Sequence, residues 1–520
     1  MSFKNRFRPE FHLSCPKGWM NDPNGFSFYN GFYHLFYQHN PKDTKWGLMH
    51  WGHAVSKDLL KWKNKKIALY PDSGADNEGC FSGTALVDGE RHVLMYTGVS
   101  QNGVQQQCLA VGDGKNYKKA ESNPVIKTDT VRKAVPDFNP NDFRDPKIWF
   151  EPEDDATDKT LGMSEKNAGV NSSLCGTYYC AAVIKKADGN GAVALFTSNN
   201  LSDWTFKSIL AESKGELGGM WECPDFFTLE ESNPRAEKKQ HAEKKSRNVL
   251  IVSPQSVKAD SAKGLKEGNN SVYMSGTFDK KSFTFIPDTR TENNFTAASL
   301  DYGIDFYAPQ TMQTDDGRRV LIAWMQAWQS YNTPENFSWS GQMTLPRELY
   351  FKNDRLYQNP VKEYEDKIQK LPFLSGVINK NMTGWFDKYN YVQSELTLEI
   401  TPSDNPEIRK NEKVTLQISD KKDKFVKFTF DCNTNELTFD RTNSIIRDEA
   451  VKSSTVKIEP DPQSKKILLR FIMDTFSCET FINNGQKVFT NTYFLNKNFR
   501  ALKIDSSTNA GLYFKVIRIK

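Results

Sequence analysis

Up to about residue 350 the chain is written in short β-rich runs separated by turn residues, and one arrangement of those runs recurs. Half of the repeat is a polar or acidic cluster, an apolar strand, a turn and a second, aromatic strand. Five segments fit it: Asn21–Gln38, Phe81–Thr97, Phe143–Val183, Trp221–Ser253 and Asp305–Trp328. Three of them carry a hairpin dipeptide at the turn, namely Asn30-Gly31, Asp88-Gly89 and Asp316-Gly317. The other half is a strand, a polar turn and a terminal aromatic, as in His53–Trp62, Leu109–Tyr117, Ala194–Trp204 and Tyr273–Phe283. Such a unit cannot bury both of its faces alone. Four strands repeated about five times therefore predict a β-propeller.

Near Pro360 the pattern changes. Val361–Leu371 offers apolar positions at helical spacing between Pro360 and Pro372, which predicts an interdomain helix. Alternation then returns in Leu396–Ile400, Val414–Ile418, Phe425–Phe430, Ile467–Phe471 and Leu512–Val516, as in a β-sandwich. The expected organisation is all-β: a propeller over 1–350, a linker with a short helix over 351–372, and a sandwich over 373–520. Glu151–Gly176 and Glu230–Asn248 are polar, charged stretches expected as surface loops.

Charge and cysteine usage narrow the function classes. Sixty-nine basic and 64 acidic residues are interspersed and leave a net charge of only +5, so nucleic acid is not the expected partner. The N-terminus is charged from the start, without the apolar core of a secretory signal, and no stretch has the length of a membrane-spanning helix. A soluble, cytoplasmic protein without a membrane partner is expected. The eight cysteines stand singly and read as free thiols in a reducing compartment. The seven His are not spaced as metal ligands, and neither a metal nor a cofactor is expected.

The segment Trp19-Met20-Asn21-Asp22-Pro23-Asn24-Gly25 is the most informative. Its Asp-Pro-Asn-Gly core alone would be a β-turn. Two further acidic clusters open later repeat units, however: Phe143-Arg144-Asp145-Pro146 and Trp221-Glu222-Cys223-Pro224. If these clusters occupy equivalent ends of innermost strands, Asp22, Asp145 and Glu222 converge on one axis. Stability does not require three carboxylates in one pocket. Glycoside hydrolysis does use such groups, one to protonate the leaving oxygen and one to attack the sugar or activate a water. Like-charge proximity would raise the pKa of the acid, and turn amides would keep the nucleophile ionised.

With these residues the chain resembles glycoside hydrolase family 32, the invertases, inulinases and sucrose-6-phosphate hydrolases, over essentially its whole length. The matching motifs are Trp-Met-Asn-Asp-Pro-Asn-Gly, Tyr37-Gln38-His39-Asn40-Pro41, Trp46-Gly47, Trp51-Gly52-His53, Phe81-Ser82-Gly83, Arg144-Asp145-Pro146, Glu222-Cys223-Pro224 and Ile322-Ala323-Trp324. The resemblance implies a retaining β-fructofuranosidase on a five-bladed propeller with a C-terminal sandwich. It implies Asp22 as nucleophile on the anomeric carbon, Glu222 as acid and then base, and Asp145 beside Arg144 as a binder of fructose hydroxyls that stabilises the transition state. Retention predicts the two catalytic carboxyls roughly 5–5.5 Å apart. It further implies Asn21, Gln38 and Ser82 as hydrogen-bond partners of the saccharide, and Trp46, Phe81 and Trp324 as apolar walls.

Cys223 reads as a packed thiol and Glu479 as a surface or strand residue. Lys42 and Lys45 near the entrance read as solvated surface, with only their charge to suggest a phosphate contact. A fructosyltransferase, a binding propeller without turnover, and an inverting glycosidase remain as alternatives. The sandwich could supply a homodimer contact.

Overall fold

The computed structural model describes residues 7–72, 74–153, 176–230, 246–261, 263–288, 296–330, 333–334, 337–387, 391–496 and 500–516. The stretches expected as surface loops after Glu151 and Glu230 lie almost wholly outside the described residues.

Five antiparallel sheets take up the first two thirds of the chain. Their first strands are Gly18–Tyr29, Gly79–Asp88, Phe143–Pro152, Met220–Glu230 and Tyr307–Gln313. These strands touch in that order, and the fifth touches the first, so the sheets form a closed ring. In the first, second and fifth sheets the first strand turns into the second through the hairpin read from the sequence. Asn30, Gly31, Gly89 and Gly317 take the positive φ that such tight turns need.

Side-chain alternation explains why the strands read as nearly continuous apolar runs. In Arg91–Val99, Leu94 and Tyr96 pack toward the first sheet beside Phe36 and Trp51. Val93 and Met95 pack toward the third beside Ile148 and Cys180. Successive residues point to opposite faces, and both faces are covered. The ring is closed by a parallel pairing in which Gly18 and Trp19 lie beside Trp339 and Ser340.

A polar belt crosses the ring's centre. The Gln310 side chain of the fifth sheet accepts from Phe26 N of the first (2.8 Å) and donates to Gly83 O of the second (3.1 Å). The Thr84 hydroxyl donates to Pro146 O and accepts from Ile148 N of the third sheet. Lys147 pairs with Asp225 of the fourth at 2.8 Å, and Asp225 accepts from Thr311 N of the fifth. Every sheet is thus tied to its neighbours at one level.

Strands Arg347–Lys352 and Arg355–Pro360 complete the fifth sheet, so the ring's pairing runs on past residue 350. Helix Lys362–Gln369 follows, burying Tyr364 and Ile368. Two six-stranded sheets form the sandwich. Its core takes alternate residues, such as Leu396, Leu398 and Ile400.

Ring and sandwich meet over buried charge. Arg347 donates to Glu479 and Asp301, and all three side chains are fully buried. His12 bridges Asp474 and Glu479 at 2.8 Å to each, and those carboxylates push its pKa up to about 9 against the opposing effect of burial. Glu479 is a strand residue, as one of the two expectations had it, but it is not at the surface. Sandwich Arg441 likewise reaches Asp305 of the ring at 2.9 Å. The seven described cysteines are free thiols.

Glu479→Ala would leave Arg347 and His12 buried without their shared counter-ion. The expected cost is on the order of 3 kcal/mol of unfolding free energy, read by denaturant titration. A variant within about 0.5 kcal/mol of the parent would contradict this account of the interface.

Candidate active site

The innermost strands lose their pairing register at one level of the ring: at Asp22, at Ser82, at Asp145-Pro146, at Cys223-Pro224 and at Ala308-Pro309. Four of these breaks hold an X-Pro pair. Proline has no N–H for the ladder, so an inner strand can accept it only where pairing is interrupted. The Asp-Pro-Asn-Gly core that alone would be a turn is therefore an irregularity within the strand Gly18–Tyr29. Asp145 (φ 60°), Cys223 (φ 47°) and Ala308 (φ 50°) take left-handed backbone, a strain of about 1–3 kcal/mol each, and an extra residue in a strand re-aims the side chains around it. At the second sheet Gly83 leaves room for the crossing, since a Cβ there would lie 2.0 Å from Met95 O.

This level brings the three carboxylates together. Asp22 Oδ2 accepts from the Ser82 hydroxyl at 2.8 Å and from the Cys223 thiol at 3.6 Å. Asp145 Oδ2 accepts from Cys223 N at 2.9 Å and lies 3.7 Å from the same thiol. Glu222 Oε1 accepts from Arg144 Nε and Nη2 at 3.1 and 2.9 Å, and its Oε2 accepts from the Tyr307 hydroxyl at 2.7 Å. Asp22 Oδ1 is out of solvent and, among the described residues, has no hydrogen-bond partner.

Burial, then the charge of Glu222, push the Asp22 carboxyl up to about 6, against the lowering influence of the polar side chains Ser82, Asn21 and Cys223. Asp145 is raised too, first by burial and then by Glu222 and Asp22, with Arg144 opposing. The sequence reading had turn amides holding Asp22 ionised. Its donors are instead side chains, and the amide of the irregular segment, Cys223 N, goes to Asp145. Burial and the three acids hold the Cys223 thiol protonated, so it acts as a hydrogen-bond donor packed between two carboxylates.

The remaining expected site residues divide into three groups. Trp46 is 50% exposed and meets Phe81 edge-on at 5.9 Å, the geometry of an aromatic rim. Asn21 is buried and accepts from Trp19 Nε1, while the Gln38 amide nitrogen is taken up by Asn24 and Cys80 O. Trp324 is not a wall, because it has no exposed surface and lies beneath Trp19 and Trp328. The exposed ring of that stack is Trp328, which the sequence reading missed.

Tyr307 was missed as well. Its signal was present in Phe306-Tyr307-Ala308-Pro309, which puts tyrosine in the frame that glutamate holds in Trp221-Glu222-Cys223-Pro224.

Comparison with known proteins agrees with this architecture. The chain matches the Glycosyl hydrolases family 32 N-terminal domain over residues 12–174 and 170–360, and the family 32 C-terminal domain over 366–519. It is 32% identical to a sucrose-6-phosphate hydrolase from Escherichia coli, over 97% of this chain and 92% of that one. It is 30% identical to a levanase from Bacillus subtilis (strain 168), over 99% of this chain and 70% of that one. Among solved structures, a family 32 β-fructofuranosidase from Bombyx mori superposes with a TM-score of 0.77 at 29% identity, covering 99% of this chain and 94% of that one. A variant of the same silkworm enzyme, solved with sucrose, superposes at 0.76 and 30% identity.

Titrating the Asp22 carboxyl by carbon NMR should give a midpoint near pH 6. Ser82→Ala removes a donor to the ionised form and should move that midpoint upward. A downward move would contradict the assigned hydrogen bond.

Proposed function

The chain belongs to glycosyl hydrolase family 32, and from that premise we propose that it releases terminal β-D-fructofuranosyl units from sucrose, sucrose 6-phosphate or short fructo-oligosaccharides, with retention. One observation carries the assignment of roles. Asp22 is held by the Ser82 hydroxyl and the Cys223 thiol, with no cation on it among the described residues, whereas both oxygens of Glu222 are engaged by Arg144 and Tyr307. A carboxylate held only by neutral donors keeps its charge for attack on carbon. A carboxyl fixed in place by a guanidinium and a phenol is positioned to exchange a proton with a leaving group.

In the first step Glu222 gives its proton to the glycosidic oxygen as the bond to the fructosyl anomeric carbon breaks. Asp22 closes on that carbon to form an ester. In the second step Glu222, now ionised, takes a proton from water, and the resulting oxygen attacks the same carbon and frees Asp22. Asp145 keeps a negative charge beside the ring while positive charge develops there. Arg144 holds Glu222 in place and limits the repulsion among the three acids, since it also lies 4.0 Å from Asp145. The Trp46–Phe81 rim and Trp328 offer flat apolar faces to the C–H surfaces of a saccharide.

Asp22→Asn is expected to lower kcat on sucrose by at least about 10³-fold, because the amide neither carries the charge nor forms a stable ester. Glu222→Gln is expected to slow poor leaving groups most, and the substrate preference follows from initial rates on sucrose, sucrose 6-phosphate, 1-kestose and inulin. Near wild-type sucrose cleavage by Asp22→Asn would remove the assignment.

A further inference from the structure

Trp328, the exposed ring beside the carboxylate pocket, is carried by a short 3-10 turn, Trp328–Ser330, rather than by a strand. The turn has a bond of its own from Ser330 N to Ala327 O at 3.0 Å, but one such turn holds little by itself. Burial does not fix the ring either, since Trp328 is 36% exposed. It lies parallel to Trp19 at 5.9 Å and edge-on to Trp324 at 5.1 Å. Trp19 in turn donates to Asn21, the neighbour of Asp22.

The turn is held from behind by the sandwich. The Ser330 hydroxyl has one proton to give, and the strongest acceptor it reaches is Asp305 Oδ1, at 3.0 Å. It also accepts from Ala327 N at 3.2 Å, which closes the turn from inside. Asp305 Oδ2 accepts from Arg441 Nη1 of the sandwich at 2.9 Å and from Thr492 N at 2.7 Å. The guanidinium also donates from Nη2 to Ser330 O at 3.3 Å, while its Nε goes to Val451 O. Arg441, Asp305 and Ser330 are all fully buried. One guanidinium thus grips the turn twice, at Ser330 O and through Asp305. Asp305 stands two residues before Tyr307, whose hydroxyl reaches Glu222, so this anchor lies on the acid/base side of the pocket.

A buried ion pair is weak evidence for stability, but a planar fork with acceptors on two chain segments fixes one segment against the other. From this geometry we infer that Arg441 is a positioning residue of the saccharide site. It sets the Trp328 ring beside the pocket, and with it the affinity for the part of the substrate beyond the fructosyl unit. The inference rests on the fructosidase reading above. An indole face offers packing against sugar C–H groups, and no proton or bond passes through it. Loss of its placement therefore acts on KM rather than on kcat.

Steady-state kinetics on sucrose and 1-kestose, with hydrogen–deuterium exchange over residues 324–330, test this on the full chain. Arg441→Gln is expected to raise KM about fivefold or more for both sugars, to leave kcat within about twofold of the wild type, and to speed exchange over 324–330. Ser330→Ala keeps the Arg441–Asp305 pair and is expected to act in the same direction more weakly; it carries the test if Arg441→Gln does not fold. Trp328→Leu should itself raise KM, and adding Arg441→Gln to it should change KM by less than about twofold more, because both remove one interaction. An arginine with only a structural role would add its full effect. The inference is overturned by KM within about twofold of the wild type in both Arg441→Gln and Ser330→Ala, by a fall in kcat at unchanged KM, or by full additivity with Trp328→Leu. Exchange over 324–330 at the wild-type rate in both variants would overturn it as well. Absence of turnover of either sugar by the wild type would instead remove the fructosidase reading, and the exchange arm would still judge the hold of Arg441 on the turn.

Discussion

Five sheets can surround an axis only if their innermost strands are held at a common height, and the belt of Gln310, Thr84, Lys147 and Asp225 does this from the inside. The packing between sheets is apolar and nearly non-directional, so it would tolerate one strand sliding on the next. Hydrogen bonds between side chains and backbone of adjacent sheets would not. A slip by one residue would also exchange the two faces of every strand, both of which are filled. The heights of Asp22, Asp145 and Glu222 follow from that fixed register, since each lies within a few residues of a belt contact on its own strand.

Above the belt the chain gathers charge that it must then manage. Three acids share one guanidinium, a thiol and two hydroxyls, and the proline-bearing irregularities keep their strained backbone where these groups have to meet. The arrangement opposes stability twice, through like charges and through positive φ. Compensation lies in the largely apolar packing between sheets. Stability and chemistry thus sit in different layers of the same strands.

Much of this was legible in the sequence, for a physical reason. Strands covered on both faces must be apolar nearly throughout, and hairpins between them need residues that tolerate positive φ, so the five repeats and their turns stand out. X-Pro pairs in inner strands marked the irregularities that carry Asp22, Asp145 and Glu222. Tyr307 escaped because attention to carboxylates passed over the same frame filled by a phenol. Strands Phe373–Ile378 and Met382–Phe386 escaped because they lie at sheet edges with their apolar residues outward, Phe373 and Trp385 being 61% and 57% exposed. The burial of Glu479 could not be read at all. Its alternation with apolar neighbours says strand, but its partner Arg347 lies 132 residues away, and pairing at that distance leaves no local trace.

The parallel pairing of Gly18 and Trp19 with Trp339 and Ser340 also bears on how the chain is made. Synthesis delivers the first inner strand more than 300 residues before the segment that covers its open edge. The segment around Phe11 and His12 waits longer still, for Asp474 and Glu479. Through most of translation the emerging polypeptide therefore carries an uncapped hydrophobic strand, a natural client for chaperones. A chain cut before the sandwich would keep the pairing that shuts the ring, but His12 and Arg347 would lose Asp474 and Glu479.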